Sequence, residues 1–316
     1  MMSKNILVLG ACGQIGSELT LKLREIYGND NVIASDIREG SDELLQSGIF
    51  EIIDATNKAE VLNTIKKHHI SEIYLMAAML SVTAEKNPDK AWDLNMGSLL
   101  NILELAKEEH INKVFWPSSI AIFGPSTPKK NTPQSTIMEP TTVYGISKLA
   151  GESWCSYYKN RYNVDVRSVR YPGIISWKTK PGGGTTDYAV EIYHKAIANN
   201  NYKCFLSENT RLPMMYMDDA IKATINLMNA KLTKKFYSYN IAAIDFTPKE
   251  IATSIKKYIP NFKIEYDPDF RQQIADTWPE NIDDSQAKKD WNWEHSYGLD
   301  KMTETMLENL KVMYTL

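Results

Sequence analysis

Up to Arg170 the chain alternates short apolar runs with longer stretches of helical periodicity. The runs read as strands are Asn5–Leu9, Val32–Ser35, Ile49–Ile53, Ile73–Met76, Lys113–Pro117 and Val164–Arg170. Between them lie amphipathic stretches. Gly16–Tyr27 carries Leu19, Leu23 and Ile26, and Ala59–His68 carries Val61, Leu62 and Ile65 at helical spacing. Pro88–His110 and Tyr144–Arg161 are the longest. One strand per helix is the pattern of βαβ units, which build a parallel sheet covered by helices on both faces.

Beyond Arg170 the regularity breaks. Lys178–Asp187 (KTKPGGGTTD) reads as a glycine-rich loop, followed by helices over Tyr188–Ala198 and Asp218–Asn229 and a strand over Phe236–Asn240. A helix over Thr247–Tyr258, a strand over Lys263–Tyr266 and a terminal helix from about Leu299 complete the chain. Hydrophobic residues make up 43% and charged residues 24% of its 316 residues, the balance of a soluble globular protein. A net charge of −3 and the lack of a basic cluster argue against nucleic-acid and membrane-surface partners. No apolar run approaches a bilayer span, and Ile6–Leu9 is too short for the core of a signal peptide. Three scattered cysteines, Cys12, Cys155 and Cys204, fit a reducing cytoplasm and lack metal-ligand spacing.

The first strand runs into Gly10-Ala-Cys12-Gly13-Gln14-Ile15-Gly16 and then into a helix. Gly10 permits a tight turn, Gly13 lets backbone approach a pyrophosphate, and Gly16 lets helix and strand pack closely. The helix N-terminus then faces the negative charge. The spacing is GxxGxxG, and its weight comes from the strand before it and the helix after it. Cys12 in this loop reads as a tolerated small residue. The second strand ends at Asp36, twenty residues after Gly16, where a carboxylate can accept both hydroxyls of an adenosine ribose. That favours NAD over NADP, whereas Arg38, beyond Ile37, could welcome a 2′-phosphate. Asp54-Ala55-Thr56 at the end of the third strand can meet an adenine amino group or cap a helix.

Tyr144 and Lys148 stand four apart at the start of a helix, which puts phenol and ammonium on one face. A nearby cation stabilises phenolate and is expected to bring its pKa down towards working pH. Tyr297 and Lys301 repeat the spacing and read as a surface helix start. Context separates the pairs: Ser119, in Pro117-Ser118-Ser119 at the end of the fifth strand, precedes Tyr144 and can orient a reacting oxygen.

The glycine loop, Ser119 and the Tyr144/Lys148 pair resemble the short-chain dehydrogenase/reductase superfamily in its extended form. The resemblance implies a Rossmann-type doubly wound parallel sheet, bound NAD, a Ser–Tyr–Lys catalytic group, and a lysine that also holds the nicotinamide ribose. Met76-Ala77-Ala78 after the fourth strand, Asn95 in the next helix, and the Tyr171–Ile174 segment on the nicotinamide side extend it. Extended members mostly act on nucleotide sugars. Dehydratases among them carry an Asp-Glu pair where Ile120-Ala121 stand here, which leaves a 4-epimerase as the alternative.

Within that superfamily the chain is most similar to the short-chain L-threonine 3-dehydrogenases. The likeness rests on Met76–Ser81 with Thr83-Ala84-Glu85, Pro117–Gly124, Tyr171–Ser176, Pro181–Tyr188, Leu212–Met217, and Trp278 with Asp283-Asp284. It implies oxidation of threonine at C3 to 2-amino-3-oxobutanoate, with Ser81, Gly184, Thr185, Thr186 and Trp278 lining the substrate pocket. Ser81 as a loop cap, Thr186 as a helix cap and Trp278 as packing are the plain alternatives. The substrate carboxylate would suit backbone N–H groups at the helix after Thr186, under a moving Lys178–Gly184 lid. Residues 1–173 are expected to form the NAD-binding domain, with 212–242 returning to it. Residues 174–211 and 243–316 then form the smaller substrate-binding domain. The two long helices carry surplus apolar residues (Trp92, Leu99, Leu103, Trp154, Tyr157, Tyr158), and in extended members they pair in a homodimer.

Overall fold

The computed structural model describes residues 4–182, 184–232 and 238–315. In chain order the elements begin β1 (Ile6–Leu9), α1 (Gln14–Tyr27), β2 (Val32–Asp36), α2 (Asp42–Gln46), β3 (Phe50–Ile52), α3 (Lys58–His68) and β4 (Glu72–Leu75). Then come α4 (Ser81–Lys86), α5 (Pro88–Trp92), a π-helical turn (Asp93–Gly97), α6 (Ser98–Lys107), β5 (Lys113–Phe115), β6 (Ser118–Ser119) and α7 (Val143–Tyr162). β7 (Val166–Tyr171), β8 (Gly173–Ile175), α8 (Tyr188–Asn199), β9 (Asn201–Cys204), β10 (Leu212–Tyr216), α9 (Met217–Asn229) and β11 (Ser238–Asn240) follow. The last are β12 (Ile244–Phe246), α10 (Pro248–Lys256), β13 (Lys263–Tyr266), α11 (Phe270–Ala275), α12 (Ser285–Trp291) and α13 (Leu299–Thr315).

Contacts divide the chain into two compact units. The first holds Met1–Ser119, Thr142–Arg170 and Ile221–Tyr239; the second holds Ile120–Thr141, Tyr171–Ala220 and Asn240–Leu316. The main sheet runs β11-β7-β5-β4-β1-β2-β3, with β6 attached to β7. β1 pairs in parallel with both β2 and β4, and β2–β3, β4–β5 and β5–β7 are parallel as well. This is the expected α/β doubly wound sheet. The chain reverses direction between β1 and β4, the switch point where such sheets take ligands. β1 and β4 are buried throughout, as strands covered on both faces must be.

The first unit takes up α9 through its C-terminal end. Arg167 donates to the carbonyls of Leu227, Met228 and Ala230 at 2.6–2.9 Å, and Lys113 donates to Met228 at 2.9 Å. Cations at a helix C-terminus satisfy its last carbonyls and its dipole.

The second unit has a three-stranded sheet, β12-β10-β8, and a parallel pair, β13-β9. α8, α10 and α13 meet around Thr303, whose hydroxyl bonds those of Tyr193 and Ser254 at 2.9 and 3.0 Å. Tyr297 bonds Asp218 at 2.8 Å, and the Lys301 ammonium lies over its ring, so this second tyrosine–lysine pair is structural.

Several expectations change. The single helix over Pro88–His110 is three pieces that end at Lys107, because Asn95 turns inward in the π-helical turn and Glu109 takes a left-handed φ of 60°. The fifth strand stops at Phe115 because Pro117 has no N–H for the ladder. Ser118 and Ser119 form a separate short strand. Leu99, Leu103 and Tyr158 are core residues, which leaves Trp92, Trp154 and Tyr157 as the exposed aromatics among the six expected. Of the strand expected over Phe236–Asn240, Ser238–Asn240 is a strand, and Phe236 and Tyr237 lie outside the described residues. No helix among the described residues is long and apolar enough to cross a membrane.

Candidate active site

The glycine loop follows β1 directly. Gly10 has a φ of +88°, and a Cβ there would stand 2.4 Å from the Ala77 nitrogen. The turn therefore needs glycine for its backbone angle and for its contact with the segment after β4. A Cβ on Gly16 would fall 2.1 Å from the Gly10 carbonyl oxygen. Gly13 is exposed at the cap of α1 and has no side chain with which to cap the helix. A cradle that side chains would fill, open at a helix N-terminus, fits a dinucleotide's pyrophosphate.

Asp36 ends β2, and its Oδ2 accepts the Cys12 N–H at 3.0 Å. The Arg38 guanidinium reaches the Cys12 carbonyl at 3.1 Å and stands 3.9 Å from Asp36, with 70% of its side chain exposed. Ile37 is exposed beside it. Burial pushes the Cys12 thiol up, with Asp36 adding to the effect, so it is not an activated nucleophile. Asp54 accepts the N–H and hydroxyl of Thr56 in a local turn. The cap of α3 is Asn57 instead, which accepts from Ala59 and Glu60.

β4 runs into Met76, Ala77 and Ala78, all partly exposed. Asn95 bonds both backbone groups of Met79, its Oδ1 accepting at 2.8 Å and its Nδ2 donating at 3.2 Å. It also donates to the Ser147 hydroxyl at 3.1 Å. The π-helical turn thus ties the loop after β4 to α7. Ser81 is the buried first residue of α4, not a loop cap.

Thr142 caps α7, its hydroxyl accepting the Gly145 N–H at 3.0 Å. Glu85 accepts the Val143 N–H at 2.6 Å, a placement that the helix dipole favours. Tyr144 and Lys148 lie on the first turns of this helix. Tyr144 shares a hydrogen bond with Ser119, and the Lys148 ammonium lies 5.5 Å from the tyrosine ring centre. Lys148 is 2% exposed, donates to the Pro117 carbonyl at 2.7 Å and sits over the Trp116 ring. The three expected residues are therefore brought together.

Their electrostatics differ from the sequence expectation. Burial pushes the Tyr144 phenol up to about 12, and the bond to Ser119 pulls the other way. Burial lowers Lys148 to about 7, and the Glu152 carboxylate pulls the other way. Desolvation is the largest influence on both groups, so burial works against the lysine-stabilised phenolate that the spacing suggested.

In the second unit, β8 begins at Gly173, where a Cβ would meet Met214 Sδ at 2.4 Å and Thr186 at 2.8 Å. The Tyr171–Ile174 segment and the threonine loop thus touch only because this residue is glycine. The cap position of α8 is Asp187, not Thr186. Its Oδ2 accepts the N–H groups of Gly182 and Gly184 at 2.7 and 2.8 Å. Those two N–H groups are therefore already taken by a carboxylate of the chain itself. Thr185 is buried, and Gly183 of the expected lid lies outside the described residues. Trp278 lines a polar cavity of about 420 Å³ together with Arg211, Glu250 and Lys129.

Sequence reasoning quoted Glu85 and Asp187 only as part of the likeness, without a role, and missed Glu152 and Arg170. Glu152 continues the four-residue spacing from Lys148, the one signal that pointed to it.

Residues 6–242 match the model of the NAD dependent epimerase/dehydratase family. A Staphylococcus haemolyticus protein called an uncharacterized epimerase/dehydratase is 50% identical over 312 residues, 98% of each chain. Among solved structures, an L-threonine dehydrogenase from Cupriavidus necator in its holo form is 55% identical, with a TM-score of 0.94 over 97% of this chain and 99% of that one. A monomeric L-threonine 3-dehydrogenase from a metagenome is 47% identical, with a TM-score of 0.92 over 98% and 99%.

Proposed function

Because this chain belongs to the NAD-dependent epimerase/dehydratase family, we propose that it oxidises L-threonine at C3 to 2-amino-3-oxobutanoate. The observation that carries this reading is the meeting of Ser119, Tyr144 and Lys148 at the end of the strand. The threonine dehydrogenases to which nearly the whole chain is similar support the choice of alcohol. Bound NAD supplies the acceptor for the hydride that leaves C3. In this reading the glycine loop holds its pyrophosphate, Asp36 its adenosine ribose, Asp54-Ala55 its adenine and Lys148 its nicotinamide ribose. Met76–Ala78 and Asn95 border the rest.

Tyr144 is the general base: its phenol oxygen takes the proton of the C3 hydroxyl as the phenol's own proton passes to the Lys148 amine, while Ser119 orients that hydroxyl. Lys148 sets the charge of the pair: the form lacking one proton is the basic one, whichever atom it left. In this reading the second unit recognises the amino acid through Gly184, Thr185, Thr186 and Trp278. Two copies of the chain pair through α7, whose exposed Trp154 and Tyr157 lack cover in a single copy.

The test is absorbance at the NADH band with NAD and L-threonine, D-threonine, L-serine or UDP-galactose. NADH is expected with L-threonine. Its absence, with UDP-glucose formed from UDP-galactose instead, would replace this reading with an epimerase. Tyr144→Phe is expected to lower turnover at least about a hundredfold while NADH still binds.

A further inference from the structure

Three consecutive residues at the strand end are each tied to one of three residues spaced by four on α7. Ser119 bonds Tyr144, and the Pro117 carbonyl accepts from Lys148. The Ser118 hydroxyl donates to Glu152 Oε1 at 2.6 Å. The first two ties belong to the reacting pair. The third belongs to a carboxylate that no step of the reaction uses. Glu152 is buried and also accepts from Nε and Nη2 of Arg170, on β7, at 2.9 and 2.8 Å. A buried ion pair holds helix to strand no better than well-packed apolar side chains do. It does supply a fixed charge and a directional bond beside Lys148 and Ser119.

We propose that Glu152 is a positioning residue for the reacting pair. Its bond to Ser118 sets the register of Ser119 against Tyr144, and its charge holds the proton on Lys148. The charge acts along α7, because Lys148 and Glu152 are one turn apart on the same face. The other groups around Lys148 leave that role to Glu152. Cys155 on α7 is kept a neutral thiol by burial, and Tyr144 is neutral at working pH. The strand end contributes the Trp116 ring, the Pro117 carbonyl and the Ser118 hydroxyl. From α4, Glu85 is committed to the Val143 N–H, and from β7, Arg170 is committed to Glu152.

The proposal rests on Tyr144 and Lys148 being the reacting pair, and the experiment separates the two claims. Ligand-free enzyme with 15N-labelled lysine side chains is titrated by NMR, alongside pH profiles of kcat/KM for NAD and L-threonine. Glu152→Gln keeps an acceptor for Ser118 and removes the charge. It is expected to move the Lys148 midpoint and the acid limb of kcat/KM to lower pH by about half a unit or more. Ser118→Ala removes the tie without changing charge. It is expected to lower kcat at least about fivefold, with the Lys148 midpoint and NADH affinity unchanged. If both variants match the parent in midpoint, limb and kcat, or if only their melting temperatures change, Glu152 is structural and the proposal fails. If Tyr144→Phe retains activity in the same series, the reading of the reacting pair fails instead.

Discussion

At the scale of single residues, Lys148 is the most consequential group. A buried lysine held at about 7 makes the fold dependent on pH in a definite direction. Between that value and its ordinary 10.5, the unfolded chain carries a proton that the folded chain does not. Stability of the ligand-free protein therefore rises with pH across this window and is flat below it as far as this group is concerned. Lys148→Met removes the burial of an ammonium and keeps the side chain's length. Thermal melts at pH 7 are expected to rise by about 2 °C or more, while threonine oxidation falls at least about a hundredfold. For the parent, kcat/KM is expected to rise with pH through an apparent pKa near 7, because the pair must lose one proton before it can accept the substrate's. Asp36 gives a separate prediction. Its carboxylate is already aimed by the Cys12 N–H, so Asp36→Ala is expected to raise KM for NAD about tenfold or more and to narrow the preference over NADP in parallel assays.

At the scale of elements, α1 is the sharpest case. Gly16→Ala would put a Cβ into the Gly10 carbonyl, so strand end and helix start must move apart. The expected cost is about 1–3 kcal/mol of stability, read by denaturant unfolding, with weaker NADH binding in a fluorescence titration. Unchanged binding would mean that the loop has room to spare. This motif was legible because its constraint is local: three glycines at fixed spacing between a strand and a helix. Strands β1, β2 and β4 were legible for the same reason, since burial on both faces writes a nearly continuous apolar run. What the sequence hid depends on distant partners. The π-helical turn exists through Asn95 bonding Met79 and Ser147, far apart in the chain. Glu152 finds Arg170 eighteen residues away on another element. β10 escaped notice because Pro213 sits inside it, normally a mark against a central strand. The sheet tolerates it because pairing with β8 begins one residue later, at Met214, while Pro213 stands opposite Asp245 of β12.

At the scale of the whole molecule, the exposed Trp154 and Tyr157 on α7 give the assembly prediction. Light scattering at micromolar concentration is expected to return twice the mass of the chain, and Tyr157→Glu to return the mass of one. A 47% identical relative is described as monomeric, so the mass of this chain and of its Tyr157→Glu variant is the direct test of that face. The order of the segments has a consequence of another kind. The chain leaves the first unit after Arg170 and comes back at Ile221, where Arg167 and Lys113 grip the end of α9. The anchors on both sides of that excursion belong to the unit that carries Ser119, Tyr144 and Lys148. Closing a longer flexible excursion costs little, about 0.6 kcal/mol for each doubling of its length. Lengthening or rewriting the intervening stretch therefore costs this base little, and Ser119, Tyr144 and Lys148 keep their anchors when it changes.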